Sequence, residues 1–217
     1  TVDNIFAALD VDGEGGNDTL NTVDSGDATG DTFEVTSTTV DGISSSAGTD
    51  VTFANIDDLN VTGTDGDDTI NVNLGLQEDL NTVTINGAGG DDDFNLQNST
   101  PVGVNTLLNG QAGNDEFFFD SNYVLRGFIN GGGDIDTIDY TTYSNAVHVQ
   151  LAGPGSLDGF QGYELNGSIL GTGGGGTGFD NINDLVGSAN SDTLEGPNLN
   201  NYWGITANDE GFIIAER

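Results

Sequence analysis

Short runs in which apolar and polar residues alternate occur along most of the chain, and clusters of glycine and aspartate separate them. One example is the run 83–85, which is followed by the turn-like segment 86–93 and then by the run 94–96. Alternation with a period of two indicates β-strands with one buried face, and Gly/Asp clusters indicate turns. Stripes with a helical period are nearly absent, so the pattern predicts an all-β protein.

The unit of strand, turn and strand recurs. In each copy a glycine is followed five residues later by an aspartate, and an apolar residue comes two residues after the aspartate. We call these segments cassettes, and there are seven of them: 13–20, 26–33, 63–70, 87–94, 110–117, 131–138 and 187–194. Recurrence of this kind indicates a repeat architecture.

The spacing of the repeats selects one kind of β-solenoid. The aspartates at positions 68, 92, 115 and 136 are separated by 24, 23 and 21 residues, whereas a nonapeptide calcium roll would place them nine apart. A period of about 20–25 residues fits one coil of a parallel β-helix. We therefore predict a right-handed parallel β-helix with Gly/Asp-rich turns, in which about ten coils would form a rod about 50 Å long.

We expect residues 1–217 to form a single solenoid segment of a longer chain. Regular cassettes occupy residues 1–140. The pattern is looser over 141–217, where a Gly-rich loop is predicted at 171–178. The segments 53–59 and 179–185 share the phrase Phe-x-Asn-Ile-x-Asp-Leu, and each leads into a cassette, so the solenoid is expected to resume after the loop.

The charge balance restricts the partners. The chain has 36 acidic residues, two arginines and no lysine, with a formal net charge of −34. Nucleic acid and anionic membrane surfaces are therefore unfavourable partners. No apolar run approaches the roughly 18 residues of a membrane span, so membrane insertion is not expected. The absence of cysteine excludes disulfides and thiolate metal sites.

The acidic turns suggest a cation site. Aspartates outnumber glutamates, and glycine-rich turns bring carboxylates and carbonyl oxygens together, which are the ligands that Ca²⁺ prefers. We therefore predict calcium between stacked turns. The alternative, that the cassettes are only turns, stays open because Gly and Asp form turns without metal. The candidate ligands are Asp18, Asp31, Asp67, Asp68, Asp91, Asp92, Asn114, Asp115, Asp134, Asp136 and Asp192.

Segments 86–94 and 109–117 resemble haemolysin-type (RTX-like) calcium-binding repeats. Together with 23–33 and 138–143, they are more closely similar to the β-strand repeats of very large bacterial surface and secreted proteins of the adhesin type. The nonapeptide tandem of true RTX repeats is missing. The resemblance implies calcium, a location outside the cell or on the bacterial cell surface, and a structural or adhesive role.

The predicted function is a calcium-stabilised structural or adhesive segment, not an enzyme. Besides calcium ions, the candidate partners are cell-surface glycans and other copies of the chain, which exposed strand edges could join into filaments. The alternative is a carbohydrate-active β-helix. Its cationic groups would be limited to Arg126, His148 and Arg217, and its best-placed acid is Glu164, beside Phe160 and Tyr163.

Overall fold

The computed structural model describes residues 8–25, 28–44, 49–75, 79–170 and 178–197, together with the backbone of 201–207 and 210–215. Within these ranges the chain forms β-strands and no helix, which confirms the all-β prediction. It follows that no described segment is a helix suited to crossing a membrane. The strands are β1 (Leu9–Asp12), β2 (Thr19–Val23), β3 (Thr32–Thr36), β4 (Thr39–Asp41), β5 (Val51–Ala54), β6 (Asp58–Thr62), β7 (Thr69–Asn73), β8 (Thr82–Gly89), β9 (Asp93–Asn98), β10 (Asn105–Ala112), β11 (Glu116–Phe119), β12 (Leu125–Gly133), β13 (Thr137–Asp139), β14 (His148–Pro154), β15 (Phe160–Glu164), β16 (Ile169–Leu170), β17 (Gly178–Ile182), β18 (Asp184–Val186), β19 (Thr193–Glu195), β20 (Asn201–Ala207) and β21 (Glu210–Ala215).

Two mostly parallel sheets contain 19 of these strands. The first sheet has the order β1-β5-β4-β3-β7-β9-β11-β13-β18. The second has the order β19-β14-β15-β17-β12-β10-β8-β6-β2, and β16 pairs with β12 beside this path. Strands β20 and β21 pair antiparallel with each other. From β6 to β13, successive strands alternate between the second and the first sheet, and each lies parallel to the strand two places later.

The register reproduces the spacing seen in the sequence. In the first sheet Thr69 pairs with Asp93, Asp93 with Glu116, and Glu116 with Thr137, which are offsets of 24, 23 and 21 residues. The offset between neighbouring parallel strands therefore equals the spacing of the cassette aspartates. We use the word repeat for one strand of the second sheet, the turn after it and the following strand of the first sheet.

Antiparallel strands interrupt the parallel order at two places. Strand β4 lies antiparallel between β3 and β5, and the offset from β3 to β7 rises to 37 residues. Near the other end, β15 pairs antiparallel with both β14 and β17. Six repeats occur in the described residues, namely β2/β3, β6/β7, β8/β9, β10/β11, β12/β13 and β17/β18. The expectation of ten coils was wrong because the interruptions use many residues.

The Gly-rich segment leaves one line of the second sheet and returns to it. Leu170, at the end of β16, pairs with Arg126, and Gly178, at the start of β17, pairs with Phe128. The two anchor points therefore face positions only two residues apart on β12. Residues 171–177 of the predicted loop lie outside the described residues, whereas Gly178 is the first residue of a strand.

The core lies between the two sheets and is built from the inward positions of the alternating runs. In the first sheet these positions include Phe94, Phe117 and Ile138, all fully buried. The Phe94 and Phe117 rings stack with centroids 4.7 Å apart. Inward residues of successive repeats thus form continuous apolar columns. Between these columns and the next strand run the cassette turns.

Candidate functional site

The cassettes do not all lie on the same edge of the molecule. Five of them (26–33, 63–70, 87–94, 110–117 and 131–138) connect a strand of the second sheet to a strand of the first. Cassettes 13–20 and 187–194 run the other way, from β1 to β2 and from β18 to β19. Among the predicted ligands, Asp18 and Asp192 are therefore separated from the column formed by Asp31, Asp68, Asp92, Asp115 and Asp136, which we call the inner column.

Each aspartate of the inner column binds the main chain of the preceding repeat. The amide of Asp68 donates to Oδ1 of Asp92 (2.8 Å), and the amide of Asp92 donates to Oδ1 of Asp115 (3.0 Å). The same bond joins Asp31 to Asp68 at 2.7 Å and Asp115 to Asp136 at 3.0 Å. Side chains thus continue the inter-strand hydrogen bonding through the turns, where the main chain alone does not.

The second carboxylate oxygen explains the glycine at the start of each cassette. A Cβ atom added to Gly87 would lie 2.0 Å from Oδ2 of Asp92, and one added to Gly110 would lie 2.0 Å from Oδ2 of Asp115. No real Cβ tolerates such a contact, so the aspartate requires a glycine five residues earlier. The Gly-x₄-Asp spacing is therefore a packing relationship within one turn.

Three buried carboxylate oxygens of the inner column accept no conventional hydrogen bond. Oδ2 of Asp68 accepts the amide of Thr64 at 2.8 Å, but the Oδ2 atoms of Asp92, Asp115 and Asp136 have no partner. Burial is the main cause that raises the pKa of Asp92 to about 8, of Asp115 to about 7 and of Asp136 to about 6, and neighbouring carboxylates add to it. Near neutral pH these side chains are therefore carboxylic acids for part of the time.

The residue before each inner aspartate points outward and forms a second column, made of Asp67, Asp91 and Asn114, which we call the outer column. All three are exposed. The amide of Asp91 donates to Oδ1 of Asp67 (2.9 Å), and the amide of Asn114 donates to Oδ1 of Asp91 (2.7 Å). These bonds run in the opposite direction to those of the inner column, so the Asp/Asn-Asp pair binds the repeats on both sides.

The two cassettes on the opposite edge use a related arrangement. The amide of Asp18 donates to Oδ2 of Asp57 (2.9 Å), and the amide of Val147 donates to Oδ1 of Asp192 (2.8 Å). Oδ2 of Asp18 is buried and has no hydrogen-bond partner. The predicted ligand Asp134 is exposed and lies just outside the outer column, because Ile135 holds the column position in its cassette.

Sequence reasoning missed Asp57 and Asn183 as members of these columns. Both stand at the same place in the phrase Phe-x-Asn-Ile-x-Asp-Leu, and Asn183 accepts the amide of Asp136 at 3.3 Å. The asparagine two residues earlier in each phrase has a left-handed backbone, with φ of 53° at Asn55 and 57° at Asn181. The repeated phrase was the signal that could have identified them.

The two columns differ in their fit to a cation. The inner Oδ2 atoms are packed against glycine and enclosed, so an ion has no room beside them. The outer column is open to solvent, and Asp67 and Asp91 each use one carboxylate oxygen in the bonds above. Across the described ranges, no three acidic, histidine or cysteine side chains converge on one point in the manner of a metal centre. An ion on the outer column would therefore take only part of its coordination from carboxylates.

The best-placed acid for the enzymatic alternative has a structural role. Oε2 of Glu164 accepts the amides of Gly167 and Ser168, both at 2.7 Å, and Oε1 accepts the amides of Asn166 (2.8 Å) and His148 (3.2 Å). This buried carboxylate closes the turn after β15. Four donors occupy both of its oxygens, which leaves it poorly placed to exchange protons with a substrate.

Comparison with known proteins does not assign the chain to a family. No family model matches the sequence, and no curated protein is similar to it. The function proposed for the chain therefore rests on its own residues.

Proposed function

We propose that the chain is a right-handed parallel β-helix that serves as a calcium-stabilised structural or adhesive segment of a bacterial protein, outside the cell or on its surface. Two mostly parallel sheets with constant offsets between alternate strands support the helical path. Connections between parallel strands of one sheet are right-handed in nearly all proteins, which supports the hand.

The outer column carries the calcium proposal. The bond from the Asp91 amide to Asp67 places the two carboxylates in adjacent repeats, about 4.8 Å apart by the usual strand spacing. Ca²⁺ takes six to eight oxygens at about 2.3–2.6 Å, so one ion can reach both side chains and complete its shell with turn carbonyls and water. With few carboxylates for each ion, we expect a Kd of about 10⁻⁴–10⁻³ M, as in extracellular modules.

Calcium would act on stability rather than on chemistry. The net charge of −34 opposes compaction, and cations bound to stacked acidic turns reduce that repulsion. Since a ligand that binds the folded state alone stabilises it, folding would depend on the calcium concentration of the compartment. A chain with this property stays loose where calcium is scarce and becomes rigid outside the cell. Adhesion to glycans or to further copies of the chain belongs to the same proposal.

The test is a calcium titration by isothermal calorimetry in calcium-free buffer. The double variant Asp67→Asn/Asp91→Asn keeps the two hydrogen-bond acceptors but removes both charges, and we expect it to weaken binding at least ten-fold. The control is Asp93→Asn, because Asp93 is exposed and lies beside the column without belonging to it. Absence of calcium binding to the native chain, or equal affinity in all three proteins, would contradict the proposal.

A further inference from the structure

The single histidine of the chain lies where the second sheet ends. His148 begins β14, and its Nε2 atom is 2.8 Å from Oε1 of Glu195, the last residue of β19. Gln150 Nε2 donates to the other carboxylate oxygen at 3.1 Å. Both residues of β14 therefore bind one carboxylate of the neighbouring strand.

Strand β19 has few other attachments. It is the outermost strand of the second sheet and pairs with β14 through three residues, all of them exposed. The amide of Thr193 donates to the carbonyl of Val147 (2.9 Å), and Asp192 accepts the Val147 amide. A strand this short and exposed opens easily, so one side-chain pair can change its population measurably.

We propose that His148 and Glu195 form a pH-dependent latch that holds the edge strand β19 against β14. Histidine is the side chain that ordinarily changes charge between pH 5 and 8. Protonation turns a neutral hydrogen bond into a charge-assisted pair, which is shorter and stronger. Mild acid therefore closes the latch, and neutral or alkaline pH loosens it.

The groups around the imidazole favour this direction. Glu195 faces it from β19, with Asp192 just before that strand. From β15, Glu164 has its carboxylate engaged by backbone amides on the buried side, and Tyr163 is an exposed phenol. All of the acidic groups are carboxylates, and none of these neighbours carries a positive charge that would oppose an imidazolium.

Opening of β19 has a defined structural consequence. It removes the parallel neighbour of β14, whose other side stays paired with β15. A strand edge with unpaired amides and carbonyls accepts another strand. The latch thus controls exposure of one edge of the second sheet and the attachment of everything that follows residue 195.

The experiment is hydrogen exchange of the peptide containing 193–195, at pH 5.5 and pH 7.5, corrected for intrinsic rates and carried out without calcium. In the native chain we expect protection to be about two- to five-fold higher at pH 5.5, the range that half-exposed ion pairs provide. In His148→Gln and Glu195→Gln, protection of the same peptide should no longer depend on pH. Amides of β10 report any global change with pH.

A second measurement on the native chain covers the case in which a variant is destabilised. In an NMR titration, the His148 ring and the amides of β19 should shift with one common midpoint. Amides of β19 that do not follow the ring would overturn the latch. The same conclusion would follow if both variants retained the native pH dependence of exchange.

Discussion

Replacing Asp92 by asparagine separates the two roles considered for the inner column. The substituted side chain keeps an oxygen to accept the Asp68 amide and places an NH₂ group where Oδ2 lies without a partner. It also removes a carboxylate that is fully buried. If Asp92 were a calcium ligand, the change would be harmful. If it is a buried acid that holds the turn, the change should be favourable at high pH.

The magnitude follows from the raised pKa. Burial raises the pKa of Asp92 from 3.8 to about 8. A folded-state pKa above the unfolded value means that the folded chain holds more protons, so stability is present at low pH and is lost as pH rises from about 4 to 8. If only half of the shift, about two units, is realised, the cost of ionising Asp92 is about 3 kcal/mol at pH 8.5.

Thermal unfolding of both proteins in chelator, from pH 4 to pH 8.5, measures this difference. We expect the Tm of Asp92→Asn to match the native Tm near pH 4 and to exceed it by roughly 6–12 °C at pH 8.5. Asp92→Ala should be destabilised by about 1–3 kcal/mol at every pH, because it leaves the buried Asp68 amide without an acceptor. A lower Tm for Asp92→Asn at pH 8.5 would refute the reasoning.

Three further predictions concern single side chains. Gly87→Ala should be destabilised by more than about 3 kcal/mol in chemical denaturation, because the new Cβ would lie 2.0 Å from Asp92, whereas Gly15→Ala, with open space around it, should change stability by less than about 0.5 kcal/mol. Ala88→Gly should raise stability by about 0.5–1 kcal/mol in the same assay, because Ala88 has φ of 87° and only glycine adopts that region without strain; a loss would show that the alanine methyl group contributes more than the strain costs. Tyr123→Phe should be neutral or stabilising by up to about 1 kcal/mol, because the buried Tyr123 hydroxyl has no hydrogen-bond partner; a Tm loss of several degrees would indicate an unrecognised bond.

Much of the fold could be predicted from two features of the sequence. Alternation identified the strands and their buried faces, and the spacing of Asp68, Asp92, Asp115 and Asp136 gave the strand offsets of 24, 23 and 21 residues. The antiparallel interruptions were not predicted. A strand inserted antiparallel has the same period of two as a parallel one, so alternation cannot distinguish them. The number of repeats was overestimated for the same reason.

The division of the acidic site was readable in part. Asp92 is two residues before the buried Phe94 and Asp91 is three residues before it, so strand parity assigns Asp92 to the inner face and Asp91 to the outer. Sequence motifs gave no sign that cassettes 13–20 and 187–194 lie on the opposite edge. A cassette records local turn chemistry, whereas its edge depends on which sheet the chain is leaving, and that depends on the interruptions elsewhere.

The central claim is that calcium stabilises this chain through its outer acidic turns, and thermal unfolding by circular dichroism tests it most directly. The conditions are chelator, about 10 mM calcium, and magnesium and sodium chloride at matched ionic strength. With a Kd near 1 mM, each ion contributes about 1.4 kcal/mol, or a rise in Tm of roughly 3–6 °C. The account predicts this rise in calcium alone, in the native chain and in Asp92→Asn, and its loss in Asp67→Asn/Asp91→Asn. Equal melting in all four conditions would contradict it and leave the aspartates as turn-forming residues.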